Sequence, residues 1–273
     1  MEQEKKKRRA LYQLSAVGVV LMLAVFAILL PKANESAKGR EGDTVSVSLV
    51  GEDAGALALS DALHAVSKST HERAICDAVP LERYAGTGFA VRDPSIRANA
   101  EVVLALSEML DAYGAANASY TLPIVTAGVE SAETISPLAG GYGVILSLLV
   151  PKGDDMTPVT LENPLAAAFY AWLASNAPHY GFTVDPSGML RYLGTPHAAY
   201  VFESALTLEQ YVTLLKERTA DDPLRVDYAG ESYAVFFVPD KKGGGKEIRL
   251  PKSAAYTVSG TNLGGYIVTV KQT

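Results

Sequence analysis

The 273-residue chain holds one cysteine, Cys76, four histidines and one tryptophan, and its basic residues are outnumbered by acidic ones. A lone thiol excludes an intramolecular disulfide and any multi-thiolate zinc site. Cys76 itself is expected to be a buried, inert thiol. Lys and Arg number 24 against 30 Asp and Glu, a net charge of −6. A nucleic-acid footprint needs a basic face, so nucleic acid is not expected as a partner. Several catalytic signatures are also missing. There is no Gly-x-Ser-x-Gly elbow, and no Ser-x-x-Lys pairing in a penicillin-binding context. His64 and His71 stand seven apart, one face of a helix, but Glu72 beside His71 completes no His-Glu-x-x-His motif, so both read as surface residues. Gly243-Gly244-Gly245-Lys246 lacks the strand-to-helix setting of a phosphate loop and reads as a flexible hairpin tip.

What is present starts at the amino terminus. Lys5-Lys6-Lys7-Arg8-Arg9 precedes an uncharged run from Leu11 to Leu30. At 1.5 Å per residue, ~20 apolar residues span a hydrocarbon core of roughly 30 Å. The basic cluster is expected to stay in the cytoplasm (residues 1–10), with 11–30 as a single-pass signal anchor and everything after Pro31 outside. A cleaved signal peptide is the competing reading, and Ala33 and Ser36-Ala37 keep it open. Five basic and two acidic side chains give the first nine residues a net +3, so the remainder carries −9 of the total −6. Residues 31–43 (from Lys32, KANESAKGREGD) are polar and small, a linker.

With 48% hydrophobic residues, the rest is ample for a globular domain with a real core. Thr44 to Val50 alternates as a strand. Asp93 to Tyr113 reads as a helix capped by Asp93, with Ile96, Ala100, Val103, Leu106 and Leu110 at helical spacing. Leu122 to Thr126 is a short strand. In Ser136 to Leu148 (SPLAGGYGVILSL), Gly140-Gly141 feeds the apolar run Val144-Ile145-Leu146, as a loop enters a buried strand. Asn163-Pro164 opens a second helix, and Thr207-Leu208-Glu209-Gln210 is a capping box opening a third. Beyond Asp221-Asp222-Pro223 the pattern turns to period two, a strand-rich tail over 224–273. The division expected is therefore 44–223 and 224–273, an α+β fold.

Several of these segments resemble the VanY-type zinc D-Ala-D-Ala carboxypeptidases. Trp172-Leu173-Ala174-Ser175-Asn176-Ala177-Pro178-His179-Tyr180-Gly181-Phe182 is similar to the family's Trp-Leu-x-x-Asn-Ala-x-x-Tyr-Gly-Phe, and Arg191 to Ala198 to its Arg-Tyr-Val-Gly-x-Pro-His-Ala. Gly55 to Leu59 resembles its first short strand, Thr207 to Tyr211 its Leu-Thr-Leu-Glu-Glu-Tyr, and the tail around Val258 to Val270 that of some Gram-positive members. The central stretch resembles Ser-Asp-His-His-Thr-Gly-Tyr-Ala-Leu-Asp-Leu, matching at Ser136, Gly141, Tyr142 and Leu146. The resemblance puts Leu138 at the family's zinc-ligating His, Ile145 at its zinc-ligating Asp and Met189 at its third ligand. The Glu that acts as base is gone. Glu130 stands where the family's Arg holds the substrate carboxylate, and an acid there repels a carboxylate; an ordinary solvated loop acid is the other reading.

The resemblance thus implies a VanY-like fold without the zinc chemistry: no catalytic residue, no metal ligand, no cofactor. Glu130, Ser136, Leu138, Gly141, Ile145, Met189 and Arg191 mark a vestigial cleft. The expected role is a pseudoenzyme of a Gram-positive cell envelope that binds a peptidoglycan stem peptide or an envelope protein. Two alternatives remain open. A rearranged zinc site would draw on His179, His197 and Asp185, although His179 reads as a surface residue, His197 as a scaffold position and Asp185 as a turn former. A purely structural scaffold would have its cleft plugged by Leu138, Ile145 and Met189, whereas a polar groove near Ser136 and Arg191 would favour ligand binding.

Overall fold

The computed structural model describes residues 51–85, 88–117, 121–185, 187–240 and 255–272, together with the backbone of 44–46 and 247–249. The run Leu11 to Leu30, the linker and the Gly243–Lys246 tip lie outside these residues. Among the described residues no helix is long and apolar enough to cross a membrane.

In chain order, β1 (Thr44–Ser46) is followed by α1 (Lys68–Asp77), β2 (Val79–Pro80), β3 (Ala90–Val91), β4 (Arg97–Ala98) and α2 (Ala100–Ala116). Then come β5 (Pro123–Ala127), β6 (Gly143–Lys152), β7 (Asp155–Val159), α3 (Ala167–Asn176), β8 (Phe182–Val184) and β9 (Met189–Tyr192). The remainder is α4 (Thr195–Glu203), α5 (Leu208–Lys216), β10 (Leu224–Tyr228), β11 (Glu231–Pro239), β12 (Glu247–Arg249), β13 (Tyr256–Gly260) and β14 (Gly265–Gln272). This mixture is the expected α+β class.

The central sheet runs β3-β5-β6-β9-β8, with β7 also on β6. Its long strand β6 serves two neighbours in turn. Gly143–Ile145 pairs with β9, and Leu148–Lys152 pairs with β7. Alternation sends Val144 and Leu146 of β6 and Leu190 of β9 into the main core. There they meet Val102, Val103, Leu106, Met109, Leu110 and Tyr113 of α2, which recur at i+3 and i+4. Tyr113 packs at 4.7 Å from Phe169 and 5.1 Å from Trp172, which fixes α3 against α2.

The helix expected from Asp93 begins only at Ala100. Asp93 Oδ1 accepts hydrogen bonds from the Ser95 N–H at 2.8 Å and its hydroxyl at 2.7 Å, so the carboxylate closes a turn instead of capping a helix. Arg97 then pairs with Pro80 across β2 and β4. Elsewhere the local signals hold. Asn163 accepts from the Leu165 N–H at the start of the second helical stretch, and Thr207 and Gln210 form the reciprocal capping box of α5. The segment expected as a short first strand, Gly55 to Leu59, is irregular. Leu57, Ala58 and Leu59 are nonetheless buried, because Leu59 N–H donates to Thr261 O at 3.0 Å and ties the segment to the C-terminal sheet.

That sheet runs β10-β11-β14-β13. Val226, Val235 and Ile267 pack with Leu193, Ala198, Val201, Tyr211 and Leu215, so the tail shares a core with α4 and α5. Residues 44–273 form one compact unit. Cys76 corrects the expectation of a buried thiol: it is exposed. The polar helix α1 (KSTHERAICD) buries only Thr70, leaving its other positions no core to enter.

Candidate ligand cleft

Of the residues singled out in the sequence, Ile145, Met189 and Arg191 share the face of β6 and β9 that points away from the main core. Ile145 and Met189 are cross-strand partners, and so are Gly143 and Arg191. With period two, these positions share one face. Leu138 is buried and leans over Gly143, whose side-chain position it closes off at 3.1 Å. Zinc takes imidazole, thiolate or carboxylate ligands in its protein sites. Leu138 and Ile145 have no ligating atom and Met189 only a thioether, so the three positions do not fit zinc. Among the described residues, no group of three or more His, Cys, Asp or Glu side chains is placed to hold a metal ion.

Three residues proposed for a rearranged site go to separate tasks. His197 is buried, with Nδ1 at 2.8 Å from the Tyr211 hydroxyl and Nε2 at 2.9 Å from Thr269 Oγ1. Burial depresses its pKa to about 4, so it is a neutral core imidazole. His179 is exposed, its ring stacked on Tyr228 and its carbonyl accepting the Tyr228 hydroxyl at 2.8 Å. Asp185 closes a turn by accepting from Ser187 N–H, Ser187 Oγ and Met189 N–H. His64 and His71 do not share a helix: His64 pairs with Asp61 in a turn, while His71 Nδ1–H donates to Ala139 O at 2.9 Å from α1.

Glu130 is neither a free loop acid nor a lining residue of the cleft. Both its carboxylate oxygens accept from the Arg97 N–H, at 2.9 and 3.0 Å, and burial raises its pKa. Ser136 Oγ accepts from the Leu138 N–H and so shapes the loop that delivers Leu138. Gly141, at φ +79°, packs near Asn99 and Ala74, away from this face.

Arg191 is the basic residue of this face. It is buried, and no acidic side chain among the described residues pairs with it. One terminal nitrogen donates to Ala58 O and the other, at 3.4 Å, to Pro137 O, while Nε has no partner. Burial pulls its pKa down to about 10, which leaves it a cation at neutral pH. Beside it opens a hollow of about 390 Å³ lined by Arg191, Met189, Thr183 and Ser60, and by the exposed acids Asp61, Asp185 and Glu209, none of which pairs with Arg191. The metal positions thus carry non-ligating side chains, and the space beside one of them, Met189, is open at Arg191 and not at Ser136. The sequence flagged Arg191 only through a motif, and its missing counter-ion is visible only in three dimensions.

No protein-family model matches the chain. Over 202 residues it is 27% identical to a D-alanyl-D-alanine carboxypeptidase of Enterococcus faecium, a match covering 67% of this chain. It spans 64%, just under two thirds, of that relative's length. Among solved structures it is similar to the vancomycin-resistance D,D-dipeptidase VanXYg, captured with a D-Ala-D-Ala phosphinate analogue. The TM-score is 0.62 at 19% identity, covering 81% of this chain and 95% of that one. That likeness establishes the fold.

Proposed function

We propose that the chain, as a relative of the VanY-type D-alanyl-D-alanine peptidases, binds a carboxylate-terminated cell-wall peptide in the remodelled cleft without hydrolysing it. The observation that carries this reading is Arg191: a buried guanidinium with no acidic partner, beside an open hollow. A buried charge without a counter-ion costs stability, and replacing such groups by apolar residues is often neutral or stabilising. A ligand carboxylate would supply the missing anion, the hydroxyls of Ser60 and Thr183 would bond its amides, and Met189 would meet an alanine methyl. The protein would then be a pseudoenzyme that reads stem peptides.

The test is calorimetric titration of the full-length chain with a D-Ala-D-Ala-terminated pentapeptide, alongside D-alanine release in added zinc. Saturable binding is expected, with no release above a blank. Arg191→Met should weaken binding by roughly tenfold or more, the scale of a charge-assisted hydrogen bond. Its stability should stay within about 2 kcal/mol of the parent, because relief of desolvation offsets two orphaned carbonyls. Release of D-alanine would overturn the non-catalytic reading. Unchanged affinity in Arg191→Met would overturn the cleft.

The proposal includes Leu11 to Leu30 as an anchor that holds residues 44–273 outside the cell. Cys76, exposed and the chain's one cysteine, reports the side. A membrane-impermeant maleimide added to intact cells should label it. Labelling that waits for lysis would place the domain inside.

A further inference from the structure

A second cavity, of about 340 Å³, lies between the end of β9, the start of α2 and the C-terminal sheet. Its wall includes Glu101, Tyr142, Tyr192, Tyr256 and Lys271. Glu101 comes from the first turn of α2, Tyr142 from the turn before β6, and Tyr192 from the end of β9. Tyr192 follows Arg191 directly, so their side chains leave the strand on opposite faces. This cavity is therefore not part of the peptide cleft.

Three polar side chains here, Glu101, Tyr142 and Tyr192, have no polar partner among the described residues. The charge of Glu101 reaches both phenols, raising Tyr142 and Tyr192 after burial has already done so, Tyr192 to about 12. Both hydroxyls are thus protonated throughout the physiological range. Glu101 is exposed to solvent, and partial desolvation against the wall raises its carboxyl. Yet none of the three side chains makes a hydrogen bond or ion pair with any described residue. Lys271, which also lines the wall, is held by Glu231 at 3.1 Å. The arrangement places a carboxylate without a paired cation on one cavity wall with two phenols, within electrostatic reach of both.

We infer that this cavity binds a primary alkylammonium group, with the Glu101 carboxylate and the Tyr142 and Tyr192 hydroxyl oxygens as its acceptors. An ammonium presents three N–H donors, one for each of these acceptors. The aromatic faces add cation–π attraction, strengthened by partial desolvation. A carboxylate ligand would be repelled by Glu101, and a neutral hydroxylated ligand would leave that charge uncompensated.

The test labels the tyrosines of the full-length chain with ¹³C at Cζ and titrates n-butylammonium chloride, with n-butanol and N-acetylglucosamine as neutral probes. The resonances of Tyr142 and Tyr192, assigned with Tyr142→Phe and Tyr192→Phe, should shift saturably with n-butylammonium alone. Glu101→Gln, at a site with no protein partner to lose, should weaken binding by roughly tenfold or more. Tyr192→Phe should weaken it several-fold. No saturable shift, equal binding of either neutral probe, or an unchanged affinity in Glu101→Gln would each overturn the inference. Arg191→Met should leave this titration unaltered, which keeps its outcome separate from that of the peptide cleft.

Discussion

Lowering the pH from 6.5 to 4 should cost the folded protein about 3 kcal/mol through one side chain, His197. Burial depresses its pKa from 6.5 in the unfolded chain to about 4 in the fold, and each unit is worth about 1.4 kcal/mol. The sign follows from proton counting. Between these values the unfolded chain binds a proton on His197 that the folded chain refuses, so acid favours unfolding. The contribution is intact above pH 6.5, shrinks as the pH falls and levels off below about 4. The two hydroxyl partners, Tyr211 and Thr269, can accept from a doubly protonated ring, so the penalty is desolvation rather than a lost bond. Carboxylates elsewhere also titrate in this range, and His197→Gln separates them. Urea unfolding at the two pH values should show the variant losing about 3 kcal/mol less than the parent. Coincident pH dependences would remove His197 from the account.

Gly188→Ala should destabilise the fold by about 3 kcal/mol or more, since backbone strain and overpacking act at one position. Gly188 has φ +92°, a conformation that costs a side-chain-bearing residue, and an added methyl would overlap the carbonyl oxygen of Leu146. Its own carbonyl accepts the Leu146 N–H at 2.8 Å, so it cannot move away without breaking β6 from β9. Met189 and Arg191 follow on the same strand, and the cleft should be displaced with it. Gly230→Ala is the control. Its φ is +81° but nothing lies within 4 Å, so only the strain of about 1–2 kcal/mol should appear. Equal losses in the two variants, read from denaturant unfolding, would dismiss the steric part.

Chemistry between near neighbours was legible in the sequence. The Thr207–Gln210 box, the Asn163 cap and the strand at Pro123–Ala127 need only adjacent stretches of chain, and each forms as its residues indicate. The failures are equally instructive. Asp93 has the chemistry of a helix cap and of an Asx turn, and the pairing of Arg97 with Pro80 decides for the turn. Cys76 has the residue type of a core thiol, and the polar helix carrying it has no core to offer.

That positions 138, 145 and 189 cannot ligate zinc as His or Asp would is a matter of side-chain chemistry, and the sequence alone determines it. So are the absence of a disulfide and the excess of acidic charge. The tertiary structure decided what those side chains do instead: Ile145 and Met189 meet across two strands, and Leu138 covers Gly143. It also decided that Arg191 lies beneath Ala58 and Pro137 without an acid, and that Glu101, Tyr142 and Tyr192 share one cavity wall. Burial, missing counter-ions and shifted pKa values are sums over atoms brought from distant parts of the chain. No spacing in a sequence encodes them, because the desolvation that sets them exists only once the chain has folded.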